Sequence, residues 1–281
     1  MCIEYILLYK IYYMKVALCF IISYNHILNK EQLWIDWIEP NKDIINVYFH
    51  YKDIRLIKSS WIKSHTINPV YIQKTSYYNV VPAYMVLLSQ AFNLDNENTW
   101  FSMLTESCVP IISPVKFRKM FMEHCNSSII KCKPAYWNVT MHRRANLRLL
   151  KNEYQLANDP WFTLTRKHVR QCFLFLRYNK NLFNQINSGD LANESIFAII
   201  LQTFNEIKNN NFLINESSSL ADWGRMSSAT SPYLFKEASK ENINIITNML
   251  KNNKHALFLR KIDTEFPSNV LEKIMHTDFG H

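Results

Sequence analysis

Val16-Ala17-Leu18-Cys19-Phe20-Ile21-Ile22 is an unbroken apolar run rich in β-branched and aromatic side chains. A strand with one wet face alternates polar and apolar residues, so a continuous run marks a strand covered on both faces, at the centre of a sheet. It ends at the polar Ser23-Tyr24-Asn25-His26. Outward from there, Glu31 to Ile38 sets Leu33, Trp34, Trp37 and Ile38 on one helical face, and Ile44 to His50 reads as a second strand. The chain thus opens β-α-β. Asn79 to Phe92 reads as the next helix and Trp100 to Leu104 as the next strand; Ser113-Pro114 then caps and starts a helix through His124. The alternation predicts an α/β fold, a mostly parallel central sheet with helices on both faces. Ligands bind such sheets beyond the carboxyl ends of the strands, here near Ser23, His50 and Thr105.

The second half is less regular. Arg166 to Arg177 is amphipathic, with Val169, Cys172, Phe173 and Leu176 inward, and Asn193 to Ile207 reads as a helix capped by Asn193, with Ile196, Phe197, Ile200 and Phe204 as its core stripe. Ser239 to Lys251 predicts another helix, His255 to Lys261 a strand, and Lys208 to Leu220 a long surface loop. Lys131 to Asn158 mixes aromatics with His142, Arg143, Arg144 and Arg148. It has two readings: a nucleic-acid surface, or a solvated helix with Leu147, Leu149 and Leu150 turned inward.

Composition narrows the chemistry. The 281 residues carry 32 Lys+Arg against 23 Asp+Glu, a net charge of +9, with 48 % hydrophobic residues, enough for one sizeable domain. Only three glycines occur, Gly189, Gly224 and Gly280, which excludes both the Walker loop and the glycine-rich dinucleotide fingerprint. Six scattered cysteines (Cys2, Cys19, Cys108, Cys125, Cys132, Cys172) include no zinc spacing; Cys125 and Cys132 are either a pair or two free thiols. Met1 to Tyr24 is apolar, but Glu4, Lys10 and Lys15 interrupt it, and Thr75 to Asn93 carries too many polar groups for lipid, so no membrane span is expected.

Several segments, in order, resemble the core-2/I-branching β-1,6-N-acetylglucosaminyltransferases, glycosyltransferase family 14, which also holds xylosyltransferase-like and plant glucuronosyltransferase-like members. They are Lys15 to Ile22, Val47-Tyr48-Phe49-His50, Thr105-Glu106-Ser107-Cys108-Val109-Pro110, Pro160 to Arg166, Asn193-Glu194-Ser195, Asp222-Trp223-Gly224-Arg225 and Leu257 to Asp263 with its Phe-Leu-Arg-Lys. The resemblance implies a single-domain, Rossmann-like fold of the GT-A type over residues 15–281, behind an N-terminal extension of 1–14. It also implies transfer of a sugar, N-acetylglucosamine first, from a UDP-sugar to a glycan or glycoprotein, with inversion and no metal cofactor.

Transfer needs a base for the acceptor hydroxyl and positive charge for the departing diphosphate. The chain has no Asp-x-Asp; Asp95-Asn96-Glu97 is nearest, so the charge falls to side chains. By motif, Glu194 matches the family's base, Lys261 its diphosphate-binding lysine and Lys236 the partner arginine, which loses the bidentate fork by being lysine. His50, Ser23 and Glu106 fall on the donor nucleotide and sugar, and Trp223, Trp161 and Arg225 on the acceptor. At Glu194 two effects oppose: a helix start lowers a carboxyl's pKa, burial raises it. Cellular relatives carry an anchor and stem, whereas here the first core strand begins by Lys15 and Met14 is a candidate start, which leaves two readings, a soluble cytoplasmic enzyme or one that reaches a lumen by another route. Asn126, Asn138, Asn193 and Asn215 carry glycosylation sequons. Two alternatives stay open, a basic nucleic-acid-binding module and an inactive, glycan-binding family member.

Overall fold

The computed structural model describes residues 14–209, 211–228 and 230–277. Six strands form the central sheet in the order β2 (Ile45–His50), β1 (Lys15–Ile21), β3 (Asn98–Thr105), β8 (Thr163–Thr165), β5 (Ser128–Ile129) and β9 (Leu213–Ile214). β2, β1 and β3 run parallel, β8 runs against both its neighbours, and β9 is parallel to β5. The opening run is the second strand of the sheet. Its side chains split by the pleat's two-residue period: Val16, Leu18 and Phe20 enter one core, Ala17, Cys19 and Ile21 the other.

Helices cover both faces. On the first core lie α1 (Glu31–Ile38), through Leu33, Trp34 and Trp37, with α4 (Pro114–His124), α9 (Lys240–Lys251) and α10 (Ser268–His276). On the second lie α3 (Val81–Leu94), α5 (Arg166–Tyr178) and α7 (Ile196–Thr203). Capping follows the sequence: Ser113 accepts from the Lys116 amide at 3.2 Å with Pro114 at the first helical position, and Ser239 accepts from Asn242 at 3.2 Å. The short α2 (Ser60–Ser64), α6 (Lys180–Asn187) and α8 (Glu206–Asn209) complete the helices among the described residues. A second sheet, β10 (Ser219–Ala221), β11 (Phe258–Arg260) and β4 (Val109–Pro110), and the antiparallel pair β6 (Cys132–Pro134) with β7 (Leu156–Asn158), stand beside the main one. No described helix is long and apolar enough to cross a membrane.

Four sequence readings are corrected. The expected loop over 208–220 is interrupted by sheet: β9 and the start of β10 fall within it, and the Ser128 amide donates to Phe212 O and that of Ile130 to Ile214 O, pairings between distant segments that hold two-residue strands too short to show a pattern. The helix over 131–158 is absent: Ala145 and Asn146 take φ of 49° and 50°, which no helix tolerates, and Leu147 is buried while Leu149 stands 59 % exposed. Asn193 caps nothing; amide bonds from Glu194 to Leu191 O and from Ser195 to Ala192 O close a 3₁₀ turn, and α7 starts only at Ile196. That helix ends at Thr203, ahead of Asn205 with φ of 58°, rather than running to Ile207. Cys19, Cys108, Cys125, Cys132 and Cys172 are all free and buried, so Cys125 and Cys132 do not pair; Cys2 lies outside the described residues, as does most of the 1–14 extension.

Candidate active site

A cleft of about 630 Å³ opens where the β6–β7 pair, the turn before α7 and strand β10 meet. Glu194 lines it, carried on the 3₁₀ turn Ala192–Glu194. Asn158, the last residue of β7, fixes that turn: its amide donates to Asn193 O at 2.9 Å and its oxygen accepts from the Ala198 amide at 3.1 Å, so one buried side chain ties the backbone on both sides of Glu194. From the other flank Arg144 Nη1 reaches Glu194 Oε2 at 3.3 Å. Arg144 stands on a backbone pressed against residues 189–190, with the Ala145 amide donating to Asp190 O at 2.8 Å. Gly189 permits the approach; a Cβ there would lie 2.4 Å from the Asn146 nitrogen and 2.7 Å from Arg143 O.

Burial is the main influence on Glu194 and raises its carboxyl pKa; Arg144 and Lys133 pull against that and Asp159 adds to it. Asp159 shares the cleft, is likewise raised by burial, and accepts a short hydrogen bond from Ser217 Oγ. Of the two opposing effects at Glu194, burial prevails. Among the described residues no group of three or more His, Cys, Asp or Glu is placed to hold a metal ion.

One wall is aromatic, backed by a cation. Trp161 and Trp223 both line the cleft, stacked at 19° with ring centroids 6.4 Å apart. Against Trp161 lies the guanidinium of Arg260, 3.3 Å from the ring centroid. Arg260 ends β11, is 5 % exposed, and its Nε and Nη1 have no hydrogen-bond partner among the described residues. A buried cation with idle donors is costly unless a ligand completes it. Lys261 follows, its Nζ donating to Ser231 Oγ at 2.8 Å, with burial and the Arg260 charge both lowering its pKa; both cations lie behind the cleft wall rather than among its lining residues.

The remaining expected residues are dispersed. Lys236 is exposed and outside the cleft. Arg225 is taken up by Asp222 at 2.8 Å and Glu241 at 3.3 Å, lies 4.0 Å from the Tyr233 ring centroid, and does not line the cleft. Ser23 Oγ and His50 Nδ1 lie 3.3 Å apart at the ends of β1 and β2. His50 Nε2 accepts from the Gln73 amide, so Nδ1 carries the proton; burial lowers its pKa to about 4. Glu106 follows β3, close enough to Arg260 and Lys261 for its charge to bear on both. Arg260, Asp159 and Asn158 have no site role in the sequence reading, and Arg144 enters it only within the basic segment read as a nucleic-acid surface or a helix face. Only Arg260 leaves a signal there: an arginine closing the apolar Ala256-Leu257-Phe258-Leu259 has no room to reach water.

Residues 17–247 match the family model Branch, the Core-2/I-Branching enzyme. By class the protein is a glycosyltransferase. It belongs to the Core-2/I-branching enzyme family, as the ordered motifs imply. No curated protein matches. Among solved structures the chain is similar to 4-diphosphocytidyl-2C-methyl-D-erythritolsynthase from Anaerococcus prevotii DSM 20548, at 11 % identity and a TM-score of 0.36, over 71 % of this chain and 99 % of that one.

Proposed function

We propose that the protein moves a sugar, N-acetylglucosamine first, from a UDP-sugar to a glycan hydroxyl with inversion and without a metal. The acceptor oxygen attacks the anomeric carbon as the bond to the diphosphate oxygen breaks on the opposite face. The hydroxyl proton passes to Glu194, and UDP leaves against the positive charge of Arg260 and Lys261. One displacement inverts the anomeric centre. Trp161 is covered by Arg260 and stacked with Trp223, and the exposed Trp223 offers the platform for pyranose C–H groups.

The observation that carries this reading is a buried carboxylate and a buried guanidinium, two of whose nitrogens have no partner among the described residues, beside one cleft: Glu194 lines it, and Arg260 lies against Trp161, which also lines it. Calorimetric titration of UDP tests it, in excess EDTA and again with manganese. Binding unaffected by EDTA supports the side-chain clamp, and binding only with manganese overturns it. Glu194→Gln is expected to lose about 10³-fold in UDP-sugar turnover with UDP affinity unchanged, the scale of one positioned base. Arg260→Ala and Lys261→Ala are expected to weaken UDP binding itself. Full turnover in Glu194→Gln would remove the base assignment.

A further inference from the structure

The cleft holds more positive charge than the transfer step uses. Lys131 and Lys133 line it beside Arg144, Asp159 and Glu194. They are two apart in extended chain, so the strand period sets both on one side, with the buried Cys132 on the other. Arg144 is spent on Glu194, and among the described residues no carboxylate lies within 4 Å of either lysine. Lys131 is oriented by Asn215, its Nζ donating to the carbonyl at 3.0 Å while the Asn215 side chain accepts from the Cys132 amide. Lys133 Nζ sits 4.6 Å from the centroid of the exposed Tyr136 ring.

The excess continues along the same segment of chain. Residues 131–152 hold six Lys+Arg and no acid, against a net charge of +9 for the whole chain. Arg143, Arg148 and Lys151 are exposed and form no ion pair among the described residues. Unneutralised charge of one sign in and around a cleft draws in ligands of the other sign. When Glu194 takes the acceptor proton it loses its charge, and the cleft becomes more positive still.

We propose that the acceptor is an anionic glycan, whose carboxylate or sulfate is held by Lys131 and Lys133 while the accepting hydroxyl meets Glu194. The inference rests on the transferase reading and names its substrate class. A glycan fits better than a nucleic acid because the two cleft tryptophans already face each other, leaving a single platform rather than a row of rings for successive bases.

Fluorescence anisotropy of the whole protein with four labelled probes tests this: a chondroitin 4-sulfate hexasaccharide, the unsulfated chondroitin hexasaccharide, neutral N-acetylchitohexaose and a twenty-residue single-stranded oligothymidine. Either acidic glycan is expected to bind at least about tenfold tighter than the neutral one. The sulfated and unsulfated arms then tell sulfate from carboxylate. Lys131→Gln with Lys133→Gln should erase the preference and leave UDP affinity unchanged, while Lys273→Gln, on the exposed side of α10, should leave it intact. Equal affinity for acidic and neutral glycans, no binding of either, or tighter binding of the oligothymidine would each overturn the proposal. UDP titration on the same samples separates the two readings, since loss of charge preference with UDP bound normally removes only this one.

Discussion

The sheet around β1 and the cleft around Glu194 are built in opposite ways. Around β1, three parallel strands send alternate side chains into two apolar cores, and the strands contain no residue with positive φ. Around Glu194, regular structure shrinks to three-residue strands and 3₁₀ turns, and Ala145, Asn146 and Leu191 all take φ near 50°. Each such residue costs on the order of 1–3 kcal/mol, held by its surroundings. In the first region the apolar pattern specifies shape. In the second, shape depends on a few polar clamps, so function there is more easily lost than the fold.

The largest expected effect lies in the sheet. Phe20 is fully buried, 5.0 Å from both Trp34 and Phe49 by ring centroid, and Phe20→Ala is expected to cost about 3–5 kcal/mol. Thermal melting should show the loss, while protein that stays folded keeps its rate of UDP release. A fall in rate per folded molecule would break the contrast.

Gly189→Ala comes next and should do both. The new Cβ meets backbone atoms on three residues, and backbone cannot swing aside as a side chain tip does. A loss of about 2–4 kcal/mol is expected, together with a drop in kcat, because relief of the clash moves Arg144 from Glu194. A variant with unchanged melting and turnover would show that the segments are not pressed together as described.

A third test separates the regions by pH. The His50 pKa is lowered by burial to about 4, below its unfolded value near 6.5, so the folded state resists a proton that the unfolded state accepts. The stability this contributes is present above pH 6.5 and lost as pH falls toward 4, by roughly 3 kcal/mol at most. Urea unfolding at pH 7.0, 5.5 and 4.5 should show the slope, and His50→Gln should flatten it. An unchanged slope in that variant would place the sensitivity elsewhere.

What was legible in the sequence follows the same division. Val16 to Ile22 is readable because burial on both faces leaves an unbroken apolar run, and Glu31 to Ile38 because burial on one face imposes a helical period; β1 and α1 lie where these patterns put them. The turn carrying Glu194 was misread as a helix start because Asn-Glu-Ser ahead of an apolar stripe is the usual cap pattern; the competing bonds to Leu191 and to Asn158 come from chain far away or from positive φ, which local pattern does not encode. Strands β9 and β10 were hidden for a related reason, since they are two and three residues long, too short for side-chain alternation to show, and pair with backbone from distant segments. Arg260 was passed over beside Lys261, although a cation closing a fully apolar strand is itself the anomaly to follow.

The smallest effect is also the most discriminating. Arg144 holds the Glu194 carboxyl below where burial alone would set it, and Asp159 pushes it up. A base works only when deprotonated, so turnover falls as pH drops through the Glu194 pKa, which lies above the ordinary glutamate value. Arg144→Gln should therefore move the acidic limb of the kcat profile to higher pH, and Asp159→Asn should move it to lower pH. At neutral pH the loss in Arg144→Gln should be modest, about two- to fivefold, the scale of one such ion pair. A purely structural role for both residues would lower kcat at every pH without moving the limb. Opposite shifts from two residues of opposite charge acting on one carboxyl require that carboxyl to be the titrating base, whereas shifts of the same sign would mean that the limb reports another group.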